Sequence, residues 1–299
     1  MTDDLRLVGG RPGEDHGSSF WQAIHRLFGE AFPRLPAAIE RAAALGTRWA
    51  RTTTPFALFA GEEAVAHVGV LAHPMWLDGK LRTFAGIHAV CTRQDRRRQG
   101  LARRLLQEAL AWADARYDAV KLHTDLPEVY APHGFRPLPL SRFRSTREPA
   151  RGIEKRLLAP STCPADEALL RRLLAQRTPV SLRCSSADDG WLLITDAAIL
   201  GTLDTQLWYL PQQDAIVGVG EAEDGEPLIT EVLAARLPPV EIVLAALPQP
   251  GPARFAFAPE RFDADAQPVP APPEAGLLMV RGDWPETLAP LGLSPLWEH

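Results

Sequence analysis

The stretch Ile87-His-Ala-Val-Cys-Thr-Arg-Gln-Asp-Arg-Arg-Arg-Gln-Gly-Leu-Ala-Arg-Arg-Leu-Leu106 decides how this chain is read. Up to Thr92 it reads as a strand. A tight basic turn follows, and an apolar helix begins at Gly100 and Leu101. In that helix Leu101, Leu105 and Ala109 alternate with Leu106, Leu110 and Ala113, a spacing of three to four that gives one wide apolar stripe. Gly100 and Ala102 are small, so a ligand can approach the unpaired N–H groups of the first helical turn. Those groups and the positive end of the helix dipole favour an anion, and a pyrophosphate fits. Arg97, Arg98, Arg103 and Arg104 supply charge-assisted contacts.

Working outward, three strand-like runs precede the segment: Phe56–Phe59, Val65–Trp76 and Leu81–Thr92. The last two are joined by Asp78-Gly79, a hairpin signal. Before them come a short strand, Leu5–Val8, and helical patterns at Phe20–Phe32 and Leu35–Arg51. After the helix a short strand is expected at Val120–His123. Antiparallel strands that end in a strand, helix, strand crossover describe an α+β fold with a mixed, mostly antiparallel sheet covered by helices. A linker is expected at Pro137–Gly152, dividing the chain into units 1–145 and 146–299. In the second unit a helix is expected at Ala165–Gln176. Strands are expected at Trp191–Thr195, Leu207–Leu210, Ala215–Val219, Val240–Leu247 and Leu277–Val280, with a helix at Leu228–Leu237 and a surface loop at Gln267–Pro273. The order echoes the first half, which suggests a diverged duplication.

Composition bounds the function. Hydrophobic residues make up 46% of the 299 and charged residues 23%, the balance of a soluble globular protein. With no membrane-length apolar run and no signal-like start, the expectation is a cytoplasmic protein that contacts no membrane. The net charge of −5 divides into +5 over residues 1–150 and −10 over residues 151–299, so an anionic ligand is drawn to the first half. An acidic chain whose Arg96–Arg98 cluster has no interleaved aromatics does not read as a nucleic-acid binder. Cys91, Cys163 and Cys184 suggest neither a disulfide framework nor a metal site and are read as reduced thiols.

The turn and helix start resemble the GNAT acetyltransferase superfamily. Its signature Arg/Gln-x-x-Gly-x-Gly/Ala is matched by Arg97-x-x-Gly100-x-Ala102, and its Tyr-x-x-x-Gly-Phe by Tyr130-Ala-Pro-His-Gly-Phe135. Gln94 stands where proline is usual in the family and Arg98 where glycine is frequent. The resemblance implies acetyl-CoA as co-substrate without a metal. Ala89, Val90 and Thr92 would line the pantetheine, and Arg97, Arg98, Gln99, Gly100, Leu101, Ala102 and Arg103 would form the pyrophosphate cradle. It also implies that the second half is a degenerate GNAT-like α/β domain, because Val219–Pro227 is too acidic to hold a pyrophosphate.

Acyl transfer from a thioester to an amine needs a neutral amine, a stabilised oxyanion and a proton for the leaving thiolate. Tyr130 is the candidate acid, and the Val90 N–H, by resemblance, binds the oxyanion. The base stays open among His88, the pair His123 and Asp125, and the terminal carboxylate of His299 carried on the apolar tail LSPLW. Glu221, Glu223 or Asp224 are candidates for attracting an amine. Trp191, Trp208, Trp284 and Trp297 are read as core or interface aromatics. The leading expectation is an N-acetyltransferase acting on a small-molecule amine, monomeric or homodimeric. The alternatives are a non-catalytic acyl-CoA-binding regulatory protein and a protein or peptide N-acetyltransferase.

Overall fold

The computed structural model describes residues 5–10, 16–222, 225–248, 253–272, 276–285 and 290–297. The first half runs β1 (Arg6–Gly9), α1 (Gly17–Ala31), α2 (Leu35–Ala44), α3 (Trp49–Thr52), β2 (Thr53–Ala60), β3 (Glu63–Leu77), β4 (Lys80–Thr92), α4 (Leu101–Asp114), β5 (Ala119–Thr124), α5 (Pro127–Tyr130) and β6 (Arg136–Pro137). The second half runs β7 (Ser141–Ser145), β8 (Arg156–Leu157), α6 (Pro164–Gln176), β9 (Cys184–Ser186), α7 (Trp191–Leu200), β10 (Leu207–Leu210), β11 (Ala215–Glu221), β12 (Pro227–Leu233), α8 (Val240–Leu244), β13 (Ala253–Phe255), β14 (Gln267–Pro270) and β15 (Leu277–Gly282).

One sheet is ordered β1-β2-β3-β4-β5-β15-β6, with β9 added to the far end of β3. The β3–β4 hairpin turns at Asp78 and Gly79, both with positive φ, as the Asp-Gly pair leads one to expect. All pairings are antiparallel except β4 with β5, which α4 connects. These two strands pair only at Ala85–Val120 and Gly86–Lys121 and then part. The α4 stripe lies on one face, with Leu105, Leu106 and Ala109 against Phe56, Val68, Val70, Val120 and Leu122. Helices α1 and α2 cover the other, where Phe20, Ile24 and Phe28 meet Ala57, Phe59 and Trp49.

The second sheet is ordered β14-β7-β13-β12-β11-β10-β8. Three antiparallel strands, a helix and a strand parallel to the third recur here as β10, β11, β12, α8 and β13. Several sequence expectations need correction. The expected linker holds β7, an inner strand of this sheet, whose alternation is hidden by arginines: Phe143 and Ser145 are buried while Arg144 is exposed. Because β15 sits between β5 and β6 in the first sheet, a boundary at residue 145 does not separate the two sheets. Trp191–Thr195 is the start of a helix buried on nearly all sides, and Val240–Leu244 is a single helical stretch entered from Pro239. Leu228–Leu233 is a strand buried along its length, and Gln267–Pro270 pairs with β7 as an edge strand, where proline costs no ladder bond.

The tail docks between the halves. The Trp297 indole N–H donates to Glu231, Lys121 Nζ donates to the Trp297 carbonyl at 3.2 Å, and the Arg177 guanidinium lies over the indole at 4.9 Å. Beside this cluster the buried Asp188 accepts the Gly190 N–H, and burial pushes its carboxyl up to about 7. The folded state therefore keeps a proton that the unfolded chain releases near pH 3.9. The stability this group contributes is complete below about pH 4 and is lost as pH climbs toward 7. Asp188→Asn is expected to flatten that slope and to be the more stable form at pH 7.5, which urea unfolding between pH 4.5 and 7.5 measures.

Cys91 and Cys184 are buried thiols, each pushed up to about 12 by desolvation, and all three cysteines are unbridged.

Candidate functional site

The chain leaves β4 at Thr92 and makes one 3₁₀ turn at Gln94–Arg96. Arg93 anchors that turn by donating to Asp95 at 2.7 Å and to Glu63 at 2.6 Å. Arg98 and Gly100 then take left-handed conformations, with φ of 62° and 76°. For Arg98 this costs about 1–2 kcal/mol that glycine would not pay. Gly100 caps α4, and a Cβ built on it meets nothing within 4 Å. Arg104 is the first helical residue whose N–H is bonded, to the Gly100 carbonyl at 3.0 Å. Among the described residues the N–H groups from Arg98 to Arg103 have no acceptor. Unpaired amides at a helix start, with left-handed residues turning the approach, make an anion cradle. The Arg97, Arg98, Arg103 and Arg104 side chains are exposed around it. The residues present fit a diphosphate.

Upstream, the β3–β4 register slips. His67 faces Cys91 and Gly69 faces His88, so Ala89 and Val90 both stand opposite Val68. Ala89 adopts φ 47°, an uncommon value for a residue with a Cβ. The buried His67 ring is bonded through Nδ1 to the Ala89 carbonyl at 2.9 Å, and burial lowers its pKa to about 4. A carbonyl only accepts, so Nδ1 carries the proton of a neutral ring.

Where β4 and β5 part, a cleft of about 730 Å³ opens. It brings together six residues expected from sequence, His88, Ala89, Val90, His123, Asp125 and Tyr130. Thr92 and Arg97 line a smaller cavity of about 290 Å³, and Ala31 borders both. Tyr130 packs edge-on to Phe135 with ring centres 6.1 Å apart, and desolvation raises its pKa above 10, so the phenol keeps its proton at neutral pH. His88 is set into the wall, with Nε2 3.3 Å from Thr53 Oγ1 and its ring 4.9 Å from that of Trp49. Gly69 makes room for it, since a Cβ there would stand 2.5 Å from His88 Nε2.

His299, Glu223 and Asp224 lie outside the described residues, and Glu221 is not among the cleft residues. Sequence reading did not single out the following wall residues: Phe32 to Arg34 between α1 and α2, Leu35 at the start of α2, Trp49, Leu126, and Ile199 from α7. Only the Pro33 break between two helical patterns hinted at the first of these. The acidic second half thus borders the cleft through an apolar residue. Among the described residues no cluster of three or more potential metal ligands occurs, and no helix is long and apolar enough to cross a membrane.

Residues 15–138 match the family model described as acetyltransferase (GNAT) domain. Among solved structures, an N-acetyltransferase of the GCN5-related type from Kribbella flavida is similar over 93% of this chain and 72% of its own, with 15% identity and a TM-score of 0.53. A probable N-acyltransferase from Enterococcus faecalis V583 is similar over the same shares, with 13% identity and a TM-score of 0.55. Eis1 from Mycobacterium abscessus is similar over 93% of this chain and 73% of its own, at 14% identity and a TM-score of 0.54. At these identities the likeness is one of fold. No curated protein matches the chain significantly.

Proposed function

We propose, from the match of residues 15–138 to the acetyltransferase (GNAT) domain model, that the protein moves an acetyl group from acetyl-CoA to the primary amine of a small molecule by direct attack. The observation that carries this reading is the row of unpaired amides from Arg98 to Arg103 beside a cleft that holds Tyr130. Acetyl-CoA supplies the activated acyl group as a thioester. The cradle amides and neighbouring arginines hold its diphosphate, and the parting of β4 from β5 leaves the Ile87–Val90 edge for its pantetheine arm.

The chain's own residues then do three things. The Val90 N–H, beside the bulge at Ala89, donates to the carbonyl oxygen, where negative charge grows as the amine attacks; the irregular register there is what supports this reading. Tyr130 donates its phenolic proton to the departing sulfur. The proton of the incoming ammonium, ordinarily held to about pH 10.4, passes to one of His88, His123 and Asp125, which can accept a proton on the wall. We read the second sheet as a diverged copy of the first that has kept the strand order and lost the cradle.

The test is a screen of primary amines with acetyl-CoA, corrected for hydrolysis and followed by release of free thiol. Tyr130→Phe is expected to lower kcat at least about tenfold while leaving acetyl-CoA affinity within twofold. The loss is modest because a thiolate of pKa about 8.5 also takes protons from water. Acetyl-CoA binding with no transfer to any amine would make the protein a sensor and end the enzymatic reading.

A further inference from the structure

We infer that the acceptor is a hydrophobic monoamine, one ammonium on an aromatic or branched aliphatic body; this rests on the cleft being the acceptor site of the proposed transferase. The wall is built from apolar side chains of four separate segments. Phe32 comes from the α1–α2 connection and Leu35 from the start of α2, Trp49 from α3, Leu126 from the β5–α5 connection and Ile199 from α7. Two of them are open to a ligand entering the cleft: Leu126 is 56% exposed and Phe32 36%. A ligand that covers them gains in proportion to the apolar area it hides.

Trp49 is fixed in advance, edge-on to Phe28 at 5.9 Å and to His88 at 4.9 Å, so little ordering accompanies binding against it. Charge sets the number of ammonium groups. Among the described residues the cleft wall carries one carboxylate, Asp125, and one guanidinium, Arg34. A polyamine would meet no net negative field there, whereas a single ammonium can pair with Asp125 and leave Arg34 in solvent.

The experiment titrates amines into the full chain saturated with CoA, which cannot transfer an acyl group, so binding is read apart from turnover. We expect 2-phenylethylamine and isopentylamine to bind at least about tenfold more tightly than spermidine or glucosamine. Leu126→Ser and Phe32→Ser should each weaken 2-phenylethylamine about fivefold to tenfold, with CoA affinity unchanged as the sign of an intact fold. Spermidine bound as tightly as the arylalkylamine would overturn the inference. So would indifference of both serine variants, or CoA-loaded protein that binds none of the four amines. Tight arylalkylamine binding with no transfer from acetyl-CoA would keep the hydrophobic monoamine as the ligand of the cleft and remove the transferase reading. Transfer to spermidine alone would do the reverse.

Discussion

Gly100→Glu is expected to weaken acetyl-CoA binding about a hundredfold, and calorimetry of the variant against the wild-type chain reads that loss directly. The size follows from what the substitution does at the cradle. A Cβ on Gly100 meets no protein atom within 4 Å, so the fold leaves room for a side chain to begin there, and a carboxylate carried on it would stand close to the unpaired amides. It competes with the diphosphate for those N–H groups and repels it. The left-handed φ of 76° adds strain for any residue with a Cβ, about 1–2 kcal/mol. Gly100→Ala carries that strain without the charge and separates the two effects. It should cost only a fewfold in affinity, and thermal unfolding of both variants should move alike. Acetyl-CoA bound by Gly100→Glu within threefold of wild type would show that the diphosphate sits elsewhere.

That cradle was readable because everything it needs is local. A strand end, a basic turn, two small residues and an apolar stripe lie within twenty positions of one another, and the Asp78-Gly79 hairpin that orients the incoming strand is local too. The second half lacked such signals. In Trp191–Leu200 seven successive residues, Leu192 to Ala198, are buried, so the helix has no polar face for periodicity to reveal. β12 and α8 were interchanged for a related reason: a strand buried along its length and a five-residue helix both read as short apolar runs. The pairing of β7 in the second sheet and of β15 in the first joins segments more than 120 positions apart and leaves no trace in either.

The site divides in the same way. Tyr130 and Val90 come from readable motifs. Trp49, Leu126 and Ile199 become neighbours only once α3, the β5–α5 connection and α7 are packed together. That Ile199 is what the second half contributes to the wall among the described residues could not have been deduced from net charge, because charge counts say nothing about which face a loop presents.

His67 is the residue whose importance emerges only from the register, and His67→Leu is expected to lower kcat about a hundredfold, the scale on which a lost oxyanion donor acts. The KM for acetyl-CoA should stay within about twofold, since the cradle is untouched. The reasoning begins with Ala89, whose φ of 47° is held against the preference of every residue with a Cβ. The restraint within reach is the bond from His67 Nδ1–H to the Ala89 carbonyl, made inside the sheet where water cannot substitute for it. The ring is itself fixed, edge-on to Phe28 at 4.9 Å. With leucine the carbonyl loses its donor, the bulge can relax toward ordinary pairing with Val68, and the Val90 N–H turns from the carbonyl oxygen it is proposed to bind. His67→Asn should recover most of the rate, because its amide nitrogen falls near the place of Nδ1 and carries the proton that the bond requires. The ring, with its pKa lowered to about 4, is neutral across the working range, so the pH–rate profile of the asparagine variant between pH 5.5 and 9 should keep the wild-type shape. A leucine variant with unimpaired kcat, or an asparagine variant no better than leucine, would mean that the bulge holds itself and that His67 merely fills space beneath it.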